Sequence, residues 1–374
     1  MAERRTAIRP WVLRGLGALA LTGSLEAAAC ALCLSAFQLS ITAQELVYSQ
    51  RAVLALPAAG GTGFRIVEVI KGEGPRDGTI AEEDVFRAPA AATRNAKPLL
   101  LVREDRWPHW VNFGGIGAEH AGWLRQLGAT KRTTEMNDAE WREHVAFMLP
   151  YLEHPEPMVA EIAYSEIAFA PYGAIRSLKP RLDAQAIRGW VDDPRLASRR
   201  SLYLLLLGIA GGPKDAERLE ERLDAAWKAN DTTNVGAMLA ANLELRGPSR
   251  VDWVEKRYLL DRKRTKLETQ AALLALSEHG KADAAVPRER VIRAYRAFIR
   301  ERKPIAGLVA QDLAEWNYWD VVPEYAALLK SSVPLDLASR RAIVTYLQAS
   351  PRADAKAALK SLPDAKLESK TVGH

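Results

Sequence analysis

The sequence Leu196-Ala-Ser-Arg-Arg200 occurs a second time, as Leu337-Ala-Ser-Arg-Arg341, and each copy begins an apolar run with helical spacing. The two copies lie 141 residues apart, which is about four repeats of roughly 35 residues. A repeat of roughly 20 to 50 residues is typical of arrays in which helical units stack on one another. The repeated sequence therefore predicts that most of the chain forms a helical array.

Similar apolar runs recur along this part of the chain at intervals of 34 to 39 residues. The run that starts at Leu202 has apolar residues three, four and seven positions later, which indicates a helix with one buried face. Asn242 and Ser277 break this pattern in two of the runs. The runs start at Ala163, Leu202, Met238, Leu273, Val309 and Ile343.

A second, more charged helical segment lies between successive apolar runs. Gly211-Gly212-Pro213 and Gly247-Pro248 fall where helix pairs need turns, because proline cannot continue a helix and glycine suits its end. The charged segments are 140–152, 215–228, 288–300 and 321–330. We therefore predict a right-handed α-solenoid in which each helix pair contacts mainly its neighbours.

The helix pairs resemble the HEAT-repeat family over residues 140–362. The resemblance rests on two helices in a period of about 36 residues. It also rests on short turns with proline and aspartate, as in 155–163 and 193–202. The tryptophan, Leu-Gly and tyrosine pattern of tetratricopeptide arrays is missing. The resemblance implies a scaffold that binds partners, and it assigns no catalytic residue to this chain.

Residues 46–127 contain short β-rich runs separated by glycine and proline. Four or five strands in this length predict a small antiparallel β barrel or sandwich. The predicted fold class is therefore α+β and mainly α, with 128–139 as a linker between the β domain and the solenoid. The stretch 64–72, followed by a Gly-Pro turn, resembles netrin-like, OB-type modules but lacks the cysteines that frame them.

Residues 1–29 have the composition of an export signal. Four arginines precede the apolar segment 15–25, and Ala27-Ala28-Ala29 provides a small-residue cleavage site. If this signal is not cleaved, residues 15–43 are long enough to span a bilayer, with Glu26 as an unfavourable interruption. We expect an exported protein that is periplasmic or is anchored in the membrane facing the periplasm.

Both cysteines of the chain follow at once, as Cys30-Ala31-Leu32-Cys33. Cleavage after Ala29 would make Cys30 the first residue, as in bacterial lipoproteins, although Ala27 stands where their signals usually carry leucine. In an oxidising compartment the pair can otherwise form a short disulfide. Segment 30–45 thus leaves lipidation and a disulfide as alternatives. In the order of its segments, the chain resembles exported bacterial proteins that begin with a CxxC sequence and continue with a small β module and HEAT-like helices.

The sequence contains no recognisable catalytic motif. None of its six histidines stands in the spacing that places two metal ligands on one helix face. The glycine clusters at 60–63 and 114–117 lack the residues of a phosphate-binding or dinucleotide-binding loop. We therefore predict no catalytic residue, no metal site and no cofactor.

Charge and aromatic residues provide the remaining information about partners. The net charge of the chain is +6, and residues 250–303 contain 15 Lys or Arg against 8 Asp or Glu. This positive stretch predicts association with an acidic protein or an anionic envelope polymer. Export argues against nucleic acid, and we expect a monomer. The candidate partner-binding residues are Arg293, Arg296 and Arg300 on one helical stripe, with Trp316 and Trp319.

Two functions remain compatible with these patterns. The first is an exported, envelope-associated binding or scaffold protein whose helical surface holds its partner. The second is an envelope enzyme, or a regulator of one, with a site between the β domain and the first repeat near residues 107–120. We expect the tail, 363–374, to be disordered.

Overall fold

A computed structural model describes Leu32 and residues 42–59, 63–86, 97–281 and 285–362. The predicted signal, the CxxC cysteines Cys30 and Cys33, and the tail 363–374 lie outside these residues. Helices predominate in the described chain, and a single six-stranded sheet precedes most of them. The fold is therefore α+β and mainly α, as the sequence predicts.

Sixteen α-helices lie within the described ranges. They are α1 (Thr42–Tyr48), α2 (Ala121–Gly128), α3 (Asp138–Met148), α4 (Pro157–Phe169), α5 (Tyr172–Arg176), α6 (Ala184–Asp192), α7 (Arg200–Ala210), α8 (Pro213–Ala229), α9 (Val235–Arg246), α10 (Val251–Val254), α11 (Lys266–Gly280), α12 (Arg288–Glu301), α13 (Ala310–Glu315), α14 (Val322–Lys330), α15 (Leu337–Ala349) and α16 (Ala353–Lys360). Two longer 3-10 segments, Pro194–Arg199 and Lys303–Val309, lead into α7 and α13.

The sheet is curled and mixed, with the strand order β3-β2-β1-β5-β6-β4. Its strands are β1 (Arg51–Pro57), β2 (Phe64–Lys71), β3 (Thr79–Ile80), β4 (Val85–Phe86), β5 (Leu99–Arg103) and β6 (Trp110–Gly115). Because β4 pairs with β6 in parallel, the predicted antiparallel barrel or sandwich is wrong in this respect. The 3-10 turn Glu82–Asp84 interrupts the apolar run at this point, and β3 and β4 lie at opposite edges of the sheet.

The central strands of the sheet are buried on both faces. In β1, Ala52 and Leu54 belong to the main core that the helices share, whereas Val53 and Ala55 belong to a smaller core together with Phe64 and other sheet residues. In β5 the residues alternate in the same way. Strands buried on both faces read as continuous apolar runs. One face of the sheet therefore belongs to the core that the helices share, and the other face packs into a smaller core of its own.

The helices that carry the repeating apolar runs are packed one against the next. The starting residue of every run is buried. Helix α7 packs on α9 and α9 packs on α11, while segment 303–309 packs on α15. The two polar interruptions bridge neighbouring helices, since Asn242 Nδ2 donates to Ala216 O at 3.2 Å and Ser277 Oγ donates to Asp312 Oδ1 at 2.9 Å. Buried polar groups are tolerated when they are hydrogen-bonded in this way.

A polar network joins α1, which precedes the sheet, to the first helix pair. His144 Nε2 and Glu166 Oε2 lie 2.7 Å apart, and both side chains are buried. Gln44 Nε2 donates to Glu166 Oε1 at 3.0 Å, and Thr133 Oγ1 donates to Gln44 Oε1 at 3.0 Å. The predicted linker therefore contributes a side chain to the packing between the sheet and the helices.

Candidate functional site: a groove between the first two helix pairs

An open groove of about 550 Å³ lies between the start of α4 and the 3-10 segment before α7. One wall contains Glu153, His154 and Glu161, and the other contains Leu196, Ser198 and Arg199. The first copy of the repeated sequence thus forms part of a concave surface. Such clefts between elements are the usual location of binding sites.

Local sequence explains the shape of both walls. Pro157 occupies the first turn of α4. Backbone N–H groups in the first turn have no partner within the helix, so the N–H that proline lacks costs no hydrogen bond. On the other wall, the Asp193 side chain accepts a hydrogen bond from Arg195 N at 2.8 Å, and Pro194 begins the 3-10 segment. These turns hold the two helix pairs apart at the groove.

Arg199 connects the two walls. Its Nη1 donates to Glu153 Oε1 at 2.7 Å, and its Nη2 donates to Glu161 Oε2 at 2.8 Å. The guanidinium also lies 5.3 Å from the ring centre of Tyr164, a distance typical of a cation–π contact. Burial lowers the pKa of Arg199, but the hydrogen bonds to the two carboxylates outweigh this and raise its pKa overall. Arg199 therefore stays charged and is neutralised inside the groove.

Glu153 has a left-handed backbone conformation, with φ of 61°. This conformation costs a residue other than glycine about 1 kcal/mol or more. The Glu153 carboxylate also accepts a hydrogen bond from the Tyr203 hydroxyl. Burial and this carboxylate raise the pKa of Tyr203, which stays a hydrogen-bond donor. Residues in such strained conformations are concentrated at functional sites, which is why we treat this wall as a candidate site.

Two histidines lie near one end of the groove. The rings of His120 and His154 are 5.1 Å apart and nearly perpendicular. His154 Nδ1 accepts a hydrogen bond from Glu156 N at 3.0 Å, so its proton is on Nε2 when the ring is neutral. In the described part of the chain, no three His, Cys, Asp or Glu side chains are placed to hold a metal ion.

The predicted arginine stripe is divided by the fold. Arg293 and Arg300 are exposed on α12, but Arg296 lies 3.6 Å from Glu324 and is half-buried. The predicted aromatic residues lie in contacts between helices: Trp316 stacks on Tyr295 at 5.7 Å, and Trp319 contacts Tyr346 at 5.0 Å. The five candidate residues therefore do not form one exposed surface.

Many of the other basic residues in 250–303 are paired with acidic residues of neighbouring elements. Arg257 pairs with Asp224, and Arg250 lies 3.2 Å from Glu220; both acids are on α8. Arg290 lies 3.2 Å from Glu255. Because Glu220 and Asp224 lie outside the counted stretch, the sequence count overstates the positive charge that reaches the surface.

The burial of Glu278 on α11 can be tested through the pH dependence of the stability of the chain. It is buried, and its Oε2 has no hydrogen-bond partner among the described residues. Burial raises the pKa of Glu278, and Lys281 offsets this only in part. Because folding raises this pKa, the free energy of unfolding is highest below the pKa that Glu278 has in the unfolded chain. It falls as the pH rises through the pKa that Glu278 has in the folded chain.

We therefore expect Glu278→Gln to stabilise the chain by about 1 kcal/mol near neutral pH and to match the wild type in acid. Urea unfolding at several pH values measures this. Glu289→Gln is the control, because Glu289 is exposed. A Glu278→Gln effect that is independent of pH would contradict the expectation.

The groove residues were not among the candidate residues of the sequence analysis. Glu153 and Arg199 are 46 residues apart, and only the fold brings them together. The one available signal was the first copy of the repeated sequence, which ends with Arg199 and Arg200. Arg199 does face the groove, whereas Arg200 Nε donates to Val191 O at 3.0 Å.

Within the ranges that the structure covers, no helix combines the length and the apolar character needed to cross a membrane. No protein-family model matches the sequence, and comparison with curated proteins and with solved structures gives no match either.

Proposed function

We propose that this chain is an exported, envelope-associated binding or scaffold protein that holds a protein partner in the groove between its first two helix pairs. The groove itself is the observation that carries the proposal. It is open to solvent, it has a volume of about 550 Å³, and its walls are joined by Arg199. Pre-organised surfaces of this kind bind without a large ordering penalty.

We further propose that the helix pairs form a right-handed solenoid of the HEAT type. The order of packing supports this, because α7, α9 and α11 follow one another as neighbours. Helices α8 and α12, rich in charged residues, pack on α9 and α11. In solenoids, the surface between successive units is the usual place for a partner.

The chemistry of the groove favours a polypeptide over an anionic polymer. Glu153 and Glu161 face it, and Arg199 is already neutralised by them. Arg195 is paired with Asp193 at 2.7 Å. An anionic polymer would therefore meet no unpaired cation on these walls. Apolar atoms of Leu196 together with hydrogen-bonding groups suit a segment of protein chain.

The second candidate is an envelope enzyme or a regulator of one. It is favoured by the contact between His120 and His154, which adds imidazole groups to the carboxylates at one end of the groove. Against a role as general base, both Glu153 and Glu161 accept hydrogen bonds from Arg199. The carboxylate oxygens that contact Arg199 are therefore already occupied by hydrogen bonds.

Filling the groove tests the first candidate. Ser198 is exposed and lines the groove, so Ser198→Trp occupies the space without removing a buried contact. We expect this variant to lose a protein that the wild type captures from an envelope extract, with its amount measured by mass spectrometry. A fall of about tenfold or more in the amount of captured protein corresponds to a blocked groove.

Ala197→Trp is the matched control, because Ala197 is exposed next to Ser198 and does not line the groove. It should retain the protein that Ser198→Trp loses. Thermal unfolding of both variants checks that the fold is intact. Capture that is identical for the wild type and both variants would contradict a protein partner in the groove and would favour the enzyme alternative.

A further inference from the structure

Two leucines project from one edge of the helical array. Leu267 is 63% exposed and Leu337 is 60% exposed, the highest values among the large apolar side chains of the described residues. They lie at the starts of α11 and α15. Lys266 Nζ, adjacent to Leu267, donates to Asp336 Oδ2, adjacent to Leu337, at 2.5 Å. The starts of α11 and α15, which carry the two leucines, are therefore close in space although they are 70 positions apart in sequence.

Exposed basic residues flank this pair. Arg262 and Lys263 lie in the turn before α11, and Lys303 follows α12. The turn and the end of α12 are held together, because Arg302 Nη1 donates to Leu259 O at 3.1 Å and to Asp261 O at 3.0 Å.

The same edge continues onto α15. Pro304 O accepts a hydrogen bond from Asp336 N at 2.9 Å, which brings Lys303 to the start of this helix. Arg341 is exposed and lies one turn after Leu337, on the same helix face. The second copy of the repeated sequence therefore supplies both an apolar and a basic side chain. We call Leu267, Leu337, Arg262, Lys263, Lys303 and Arg341 the leucine edge.

Acidic residues do not cancel the charge of the leucine edge. Asp336 is paired with Lys266, and Glu268 is paired with Arg264 at 2.6 Å. Two further acids, Glu301 on α12 and Asp261 in the turn before α11, lie near the four cations, which outnumber them. The edge is thus apolar at its tip and positive around it.

We propose that the leucine edge docks on the surface of an anionic lipid bilayer. Leucine side chains that insert at the boundary of the acyl chains, surrounded by cations that contact lipid phosphates, are the pattern of interfacial membrane binding. A soluble anionic polymer would need the cations but not the leucines. A second copy of the chain would place like charges together. The proposal is independent of the groove and its partner.

Vesicle flotation with the full chain tests this proposal. The probe is a vesicle of phosphatidylglycerol and phosphatidylcholine, compared with a vesicle of phosphatidylcholine alone. We expect the double variant Leu267→Gln and Leu337→Gln to lower the partition coefficient on anionic vesicles by about tenfold or more. The double variant Arg262→Gln and Lys263→Gln should lower it by a similar factor at low salt.

The double variant Val69→Gln and Phe86→Gln is the matched control, because these apolar side chains are also exposed but lie in the sheet. All variants keep the same N-terminal segment, so any binding through that segment is common to them. Equal partition of every variant, or no partition of the wild type, would overturn the proposal. If only the cation variant loses binding, and it also loses binding to soluble polyglutamate, the ligand is an anionic polymer and the lipid proposal is wrong.

Discussion

Gly208→Ala is expected to destabilise the chain by about 3 kcal/mol. Helices α7 and α9 approach each other closely at this glycine. A Cβ atom at position 208 would lie 2.5 Å from Ala241 Cα and 2.8 Å from Ala241 Cβ. Because the obstacle includes backbone, relief requires the two helices to separate along their contact. Chemical denaturation of the wild type and the variant measures the loss.

Gly189→Ala is the matched control. Gly189 also lies within a helix, α6, but an added Cβ would meet no atom within 4 Å. Alanine has the higher helix propensity, so we expect a gain of about 0.5–1 kcal/mol. The two substitutions are chemically identical and should have opposite signs. A neutral or stabilising Gly208→Ala would contradict the close packing of successive helices.

Arg199→Met is expected to destabilise the chain by about 2–3 kcal/mol, because it leaves Glu153 and Glu161 facing each other without a cation. The effect is smaller than that of a fully buried pair, since the Arg199 side chain is 15% exposed and that of Glu161 is 40% exposed. Addition of Glu153→Gln should recover part of the loss, because one of the two repelling charges is removed. Urea unfolding of the single and double variants measures both effects.

Arg195→Met is the control for Arg199→Met. Arg195 is a cation of the same groove, but its side chain is 87% exposed and its partner, Asp193, is two residues away. Exposed pairs of this kind contribute little, so we expect Arg195→Met to unfold at nearly the same urea concentration as the wild type. Equal losses for the two arginines would show that the network between the walls does not stabilise the fold.

The helices were well predicted from the sequence because their signals are local. The charged segment 215–228 corresponds to α8 (Pro213–Ala229), and 288–300 corresponds to α12 (Arg288–Glu301). Proline or glycine marks their starts, and apolar spacing marks their buried faces. Leu202 and Ile343, predicted to begin buried stripes after the two sequence copies, are both fully buried.

The contacts between distant residues could not be predicted in this way. The parallel pairing of β4 with β6 depends on where the chain crosses the sheet, and the two-residue strand β4 carries no signal for it. The groove depends on Glu153 and Arg199, which belong to different helix pairs. Spacing within one helix placed Arg293, Arg296 and Arg300 on a stripe, but the acid that contacts Arg296 lies on α14.

The two copies of the repeated sequence have different surroundings. In the first, the chain forms a 3-10 segment, and Arg199 turns into the groove. In the second, the helix begins at Leu337, which is exposed. Because the same five residues serve a groove wall at one site and an outer edge at the other, sequence identity within a repeat does not imply the same contacts.

A photoreactive crosslinker tests the proposed partner groove most directly. A benzophenone amino acid in place of Ser198, which lines the groove, is expected to form a covalent adduct with a protein when an envelope extract is irradiated. The same amino acid in place of Glu217, exposed on α8, is expected to form no such adduct. If position 198 yields no protein adduct, or if both positions yield the same adducts equally, no partner occupies the groove and the central claim is wrong.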